Sequence, residues 1–398
     1  MPRRLLLLVA TALAACGDAP PPDAPAKAIP LVDGAVDVPA DTGAVAPRLV
    51  TDAEGRPVLT WVEPTATGHA LRLSRWTGDG WSPADTRAEG ADWFVNWADT
   101  PGVVPRSDGL MLAHTLVMHP DGGVYAYDIG VEMPNGTGAL LNTDGVAAEH
   151  GFVSGVPLAD ARTALVWLDG REQGEGHGHH AGAMTLRTAT LSADGTRSGE
   201  AVLDERTCDC CPTTAVATPS GLVVAYRDRS EDEIRDIAVV RQVNGAWTAP
   251  TIPHADGWRI EGCPVNGPAL AASGDRVALA WFTGGDATRV WLAVSEDAGA
   301  TWGERVRIDG GAPIGRVGVS MLADGSATVS WLEGVGEAAE LRVRRVGSDG
   351  SLRPAVTVAT VDSGRASGVP QIVALGDQAL VAWTDPAAGT VRSAVVTP

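Results

Sequence analysis

The chain has 398 residues and carries 49 acidic against 30 basic side chains, for a net charge of −19 at neutral pH. So negative a surface argues against nucleic acid and against an anionic membrane surface as partners. The length allows a large core, and four of the five cysteines fall in just two short segments.

Residues 1–16 read as a leader rather than as part of the fold. Arg3 and Arg4 precede a short apolar run from Leu5 to Leu13, too short to span a bilayer. Leu13-Ala14-Ala15-Cys16 resembles the bacterial lipobox, in which the Cys is lipidated and opens the mature chain. That resemblance implies export to the bacterial cell envelope and a lipid anchor to the membrane on Cys16, each buried methylene adding ~0.8 kcal/mol. Residues 17–27 are Pro-rich and read as an extended spacer, leaving residues 28–398 as the folded domain. Export would place the cysteines where disulfides are permitted.

From there a short apolar strand ending on an aromatic residue recurs. It appears as Val58 to Trp61, Ala164 to Trp167, Val223 to Tyr226, Val277 to Trp281, Ala327 to Trp331 and Leu380 to Trp383. Leu110 to His114 is the copy with His in the aromatic place. The anchors therefore lie at 61, 114, 167, 226, 281, 331 and 383, a period a little over 50 residues. Such a period, built from short strands with Gly-rich turns and weak helical periodicity, predicts an all-β chain. The architecture is a β-propeller, one four-stranded blade per repeat. Seven anchors predict seven blades, or six if the first or last repeat is not a full blade. The last repeat ends one strand short, so the segment around Ile29 is expected to pair near Val395 and close the ring.

Ser295-Glu296-Asp297-Ala298-Gly299-Ala300-Thr301-Trp302 matches the Asp-box, S-x-D-x-G-x-T-W, and weaker copies lie at residues 78–81, 244–247 and 348–350. On these residues and the shared repeat phase the chain resembles the sialidase-like, or BNR-repeat, propellers. In that family the box folds the turn between the third and fourth strands of a blade, far from the active site. The resemblance also implies a substrate site of three arginines, a Tyr–Glu nucleophile pair and an Asp acid. Arg48, Arg316 and Arg365 are the arginines in position, with Asp99 on the same face. Pro47-Arg48-Leu49 departs from the family's Arg-Ile-Pro, however, and the only tyrosines are Tyr125, Tyr127 and Tyr226. The fold is therefore carried over and the catalytic residues are not.

Taking the anchors as second strands puts the loops that lead into each blade, 13–18 residues before its anchor, on one face. They bring Asn96, Trp97 and Asp99, then Glu149 and His150, then Cys208, Cys210 and Cys211, then Cys263 and Asn266, and last Arg316 and Arg365. The loops after the anchors add His177, His179 and His180. Two readings of the cysteines stay open. One is structural, with Cys211–Cys263 or Cys208–Cys263 bridging two blades, or a strained vicinal Cys210–Cys211 bond. The other is a metal site in which Cys208, Cys210, Cys211 and Cys263 join His150, His177, His179 and His180 to hold copper or zinc, soft thiolates favouring Cu(I). An exo-sialidase and a non-catalytic surface module for a carbohydrate or protein ligand are the other functional classes. Acids stand two residues after five anchors, at Glu63, Asp169, Asp228, Glu333 and Asp385, and read as caps for their own loops.

Overall fold

A computed structural model describes residues 34–173 and 182–398. Its strands form seven antiparallel four-stranded sheets, and the 3-10 turn Arg365–Ser367 is the one helical element among the described residues. The sheets cover residues 45–90, 102–140, 150–207, 214–247, 269–307, 313–362 and 371–396, and are called blades 1 to 7. This is the expected seven-bladed β-propeller. Every anchor lies in the second strand of its blade, and Trp61, Trp167, Trp281, Trp331 and Trp383 are at most 1% exposed. The strands around them are nearly continuous apolar runs because neighbouring blades cover both faces.

The ring closes through Ala35–Val36, which pairs with Thr390–Val396 by Ala35 opposite Ala394 and Val36 opposite Ser393. The closing strand is thus N-terminal as expected, but centred after Gly34. Ile29 itself lies outside the described residues.

An indole N–H buried between blades needs an acceptor, and the acids after the anchors supply it. Trp61 donates to Glu63 at 2.6 Å, Trp167 to Asp169 at 2.8 Å and Trp331 to Glu333 at 2.6 Å. Residues i and i+2 share a strand face, which makes the pairing local. Blade 5 has Thr283 in that place, and Asp256 accepts from Trp281 at 2.7 Å instead. In blade 4 the Tyr226 hydroxyl donates to Asp204 of the preceding blade. The loop-capping role expected of these acids holds best at Asp385, which accepts from the amides of Ala387 and Ala388.

The Asp-box forms the turn between Arg289–Ser295 and Val306–Arg307. Asp297 accepts from the Thr301 amide at 2.8 Å and its hydroxyl at 2.7 Å, while Ser295 Oγ accepts from the Gly299 amide at 2.8 Å. The Thr301 amide, foremost, holds the Asp297 carboxyl down to about 2.

Candidate functional site

The first strands of three blades carry a left-handed bulge at one repeat position. Ala46, Phe152 and Arg316 stand fifteen residues before their anchors with φ of 55°, 53° and 54°, where the strand register shifts. Such bulges turn side chains out of the alternation of a regular strand. First-strand residues line an inner cavity of about 250 Å³, and the loops leading into the blades line a second cavity of about 500 Å³. The second cavity is the candidate site. The repeat phase placed Asn96, Trp97, Asp99, Glu149, Cys210, Cys263 and Arg365 on this face, and all of them line it.

One wall is a cluster of acids around a phenol. Tyr127 opens the strand Tyr127–Glu132, is fully buried, and stacks on Phe94 at 4.4 Å. Its hydroxyl lies 2.8 Å from Glu149 Oε1 and 3.0 Å from Asp99 Oδ2. Asp99 Oδ1 accepts the Phe152 amide at 2.8 Å. Burial lifts the Asp99 carboxyl to about 6 and that of Glu149 to about 8, and pushes the Tyr127 phenol well above its usual range. The phenol has one proton and faces two carboxyl oxygens. At neutral pH the second hydrogen bond is met by a proton kept on Glu149, so the wall holds a proton in reserve beside an ionised Asp99. Tyr127 had no assigned role in the sequence reading. Its position just after the second-strand loop of blade 2 was the available signal.

The opposite wall is built from the two cysteine segments, which touch: a Cβ on Gly267 would lie 2.0 Å from the Pro212 carbonyl oxygen. Arg227, fully buried, ties them together: its carbonyl accepts the Cys208 amide at 2.9 Å, and its guanidinium donates to the carbonyls of Asn266 at 2.7 Å, Phe282 at 2.6 Å and Arg235 at 2.5 Å. It also lies over the Trp258 ring at 4.7 Å. Cys208 and Cys211 form a disulfide. That corrects the expectation of a bridge between blades, and it removes both sulfurs as thiolate ligands. The pairing is local because both cysteines sit in one tight loop, with Cα atoms 5.7 Å apart.

Cys210 and Cys263 are free thiols from adjacent blades, and both line the cavity. The hydrogen bond from Cys210, with Arg235 and Arg229 behind it, lowers the Cys263 thiol to about 7. The same bond and burial push Cys210 up. Of the two thiols, Cys263 is therefore the one that ionises first. Arg235 also donates to Cys208 Sγ at 3.4 Å and pairs with Glu233 at 2.8 Å.

Other expected members fall elsewhere. His150 is fully buried and does not line the cavity; its ring lies among Asp128, Asp144 and Asp169. His177, His179 and His180 lie outside the described residues. Of the three arginines only Arg365 lines the cavity. Arg316 stacks over Trp97 at 4.7 Å and donates to the carbonyls of Gly368 and Gly364. Arg48 donates to the carbonyls of Thr100 and Val153 in the inner channel. Burial lowers both guanidinium groups, Arg316 to about 10. Two of the three are therefore engaged with backbone rather than converging on a carboxylate site.

No known protein-family model matches the chain, and no curated protein matches it. Solved structures share the fold. An ulvan lyase of polysaccharide lyase family PL25, bound to a glucuronate–sulfated rhamnose ligand, superposes with a TM-score of 0.54 at 12% identity, over 91% of this chain and 96% of that one. A Hadza microbial sialidase gives 0.49 at 12% identity over 89% of this chain; this chain spans 65% of that protein's length. The intramolecular trans-sialidase of Ruminococcus gnavus gives 0.46 at 12%, covering 89% and 94%. At such identity the likeness concerns the fold, a seven-bladed propeller, and leaves the chemistry to the site itself.

Proposed function

We propose that this protein is an exported, lipid-anchored propeller that holds copper(I) at the mouth of its channel, between Cys210 and Cys263. The observation that carries the reading is the unbridged thiol pair at the cavity wall, with Cys263 lowered to about 7 by the Cys210 thiol first and by Arg235 and Arg229 after it. Two soft sulfurs, with no imidazole lining the cavity among the described residues, suit Cu(I) better than zinc, which takes four donors in a closed site. Binding would displace the thiol protons, and Arg235 and Arg229 would offset the thiolate charge. The anchor rests on the lipobox-like Leu13 to Cys16.

Thiol titration of the denatured, unreduced protein is the first test. Two reactive thiols are expected, with Cys16 blocked by lipid. Competition for Cu(I) against a chromophoric chelator should then give one equivalent, lost in Cys263→Ser. Absence of reactive thiols, or copper retained in Cys210→Ser/Cys263→Ser, would overturn the reading. For the anchor, Cys16→Ser should move the protein out of the membrane fraction.

A second reading follows from the Tyr127–Glu149–Asp99 wall, which is suited to acid–base chemistry on a bound carbohydrate. Trp97 and Arg365 offer stacking and positive charge at the same cavity, and the lyase neighbour takes a uronate-bearing chain, so acidic polysaccharides are the ligands to screen first. Release of free sialic acid from a generic sialoside would favour the exo-sialidase version despite the dispersed arginines. Product from neither substrate class would dismiss the reading.

A further inference from the structure

The imidazole of His150 presents a bonding problem of its own. It is fully buried at the start of His150–Pro157, in register with Asp169 at the end of Thr163–Asp169. Nδ1 lies 3.1 Å from the Tyr127 carbonyl oxygen. A carbonyl can only accept, so Nδ1 carries the hydrogen, and a neutral ring then directs the Nε2 lone pair the other way. Nε2 has no hydrogen-bond partner, and neither has Asp144 Oδ2. Yet Nε2 sits 3.4 Å from Asp144 Oδ2 and 3.6 Å from Asp169 Oδ1. A lone pair facing two carboxylates is repulsive unless something positive lies between them.

We infer that blade 3 carries a buried divalent-cation site, with His150 Nε2, Asp144 and Asp169 as ligands and Zn²⁺ as the ion. The three ligand atoms lie within 4.8 Å of one another. Zinc bonds of 2.0–2.1 Å in tetrahedral geometry separate ligand atoms by about 3.3–3.4 Å, close to the two separations from Nε2. Calcium and magnesium need six or more oxygens, which this group does not offer. The His N–H on a backbone carbonyl is the arrangement that orients metal-bound histidines. Arg171 donates to Asp169 and lies 3.1 Å from Asp144 Oδ2, so it fixes both carboxylates from one side. Around the site the ion pairs join Asp144, Asp169, Glu172 and Glu200 to Arg171, Arg187 and Arg197, while Asp128 faces His150 Nδ1 at 3.6 Å. Among the described residues these five acids exceed the three arginines by two charges, an imbalance that a divalent ion closes. This site is separate from the thiol pair and stands or falls without it.

The test uses the full chain carrying Cys210→Ser/Cys263→Ser, which removes the thiols and leaves His150 untouched. After zinc loading and dialysis, elemental analysis should find one zinc per chain. Cobalt(II) in its place should show the visible absorption of a tetrahedral nitrogen–oxygen site. Adding Asp144→Asn should weaken zinc binding at least tenfold and abolish that spectrum. Asp144 lies in a loop, so this variant keeps the fold where His150→Ala risks losing it. No retained zinc would overturn the inference. So would zinc bound equally well by the Asp144→Asn chain, since the ion would then sit elsewhere.

Discussion

Arg227→Met offers the sharpest test of how the two cysteine segments are held. The substitution keeps much of the apolar bulk against Trp258 but removes every donor. Three buried carbonyls, of Asn266, Phe282 and Arg235, then lose their partner. Each buried group left unsatisfied costs about 1–3 kcal/mol, so the variant should lose ~3–9 kcal/mol, less whatever water can recover. For a chain of this size each kcal/mol lowers Tm by no more than about 2–4 °C. Melting followed by tryptophan fluorescence should therefore show a fall of roughly ten degrees. Because Asn266 follows Cys263 closely, Cys263 should also react faster with a disulfide reagent in the native state. A loss below ~1 kcal/mol with unchanged thiol reactivity would show that Arg227 is not the tie argued for here. Arg365→Met, at an exposed position on the same face, is the control and should change stability little.

Glu149 makes a pH prediction whose sign follows from its raised carboxyl. The folded state favours its protonated form, so its contribution to stability is full below the ordinary Glu range, about 4.5, and declines as pH rises toward about 8. Glu149→Gln should flatten that part of a Tm-against-pH curve, and an unaltered slope would count against the protonated wall. Removing the chain up to and including Val36 should leave Thr390–Val396 as an open edge, with lower Tm and association visible by light scattering; a monomer of unchanged stability would mean the closing strand is dispensable. Cys208→Ser/Cys211→Ser should cost about 2 kcal/mol, the loop entropy of so short a crosslink, as read from denaturant midpoints. An unchanged midpoint would argue that the bridge constrains nothing.

The repeat phase was legible because a buried strand between blades admits little besides apolar side chains, and the aromatic anchors kept its period through insertions. That phase put Asp99, Glu149, Cys210, Cys263 and Arg365 around one cavity from numbering alone. It reports the level of a residue along the channel and says nothing about where its side chain turns. Arg316 shows the difference: its left-handed bulge aims it along Trp97 toward carbonyls. His150 and Glu149 are neighbours in sequence and serve different surroundings, since adjacent residues of a strand face opposite ways. The cysteine pairing depended on the path of a four-residue loop, which spacing left undetermined. Tyr127 went unassigned because a tyrosine opening a strand looks like any core aromatic until its hydroxyl is seen to meet two acids.

The anchors and their acceptors have a consequence for how such a chain can change over time. In blades 1, 3 and 6 donor and acceptor lie two residues apart, so one blade contains the whole interaction. In blade 5 the acceptor is Asp256, in the connection that leads into that blade, and in blade 4 it is Asp204 of blade 3. The requirement passes from copy to copy as a satisfied indole or phenol, and the residue that satisfies it is free to move. Once its acceptor is lent by a neighbour, a repeat is no longer exchangeable with its siblings. Duplicating blade 4 or deleting blade 3 would strand the Tyr226 hydroxyl, whereas blades 1 and 6 remain portable units.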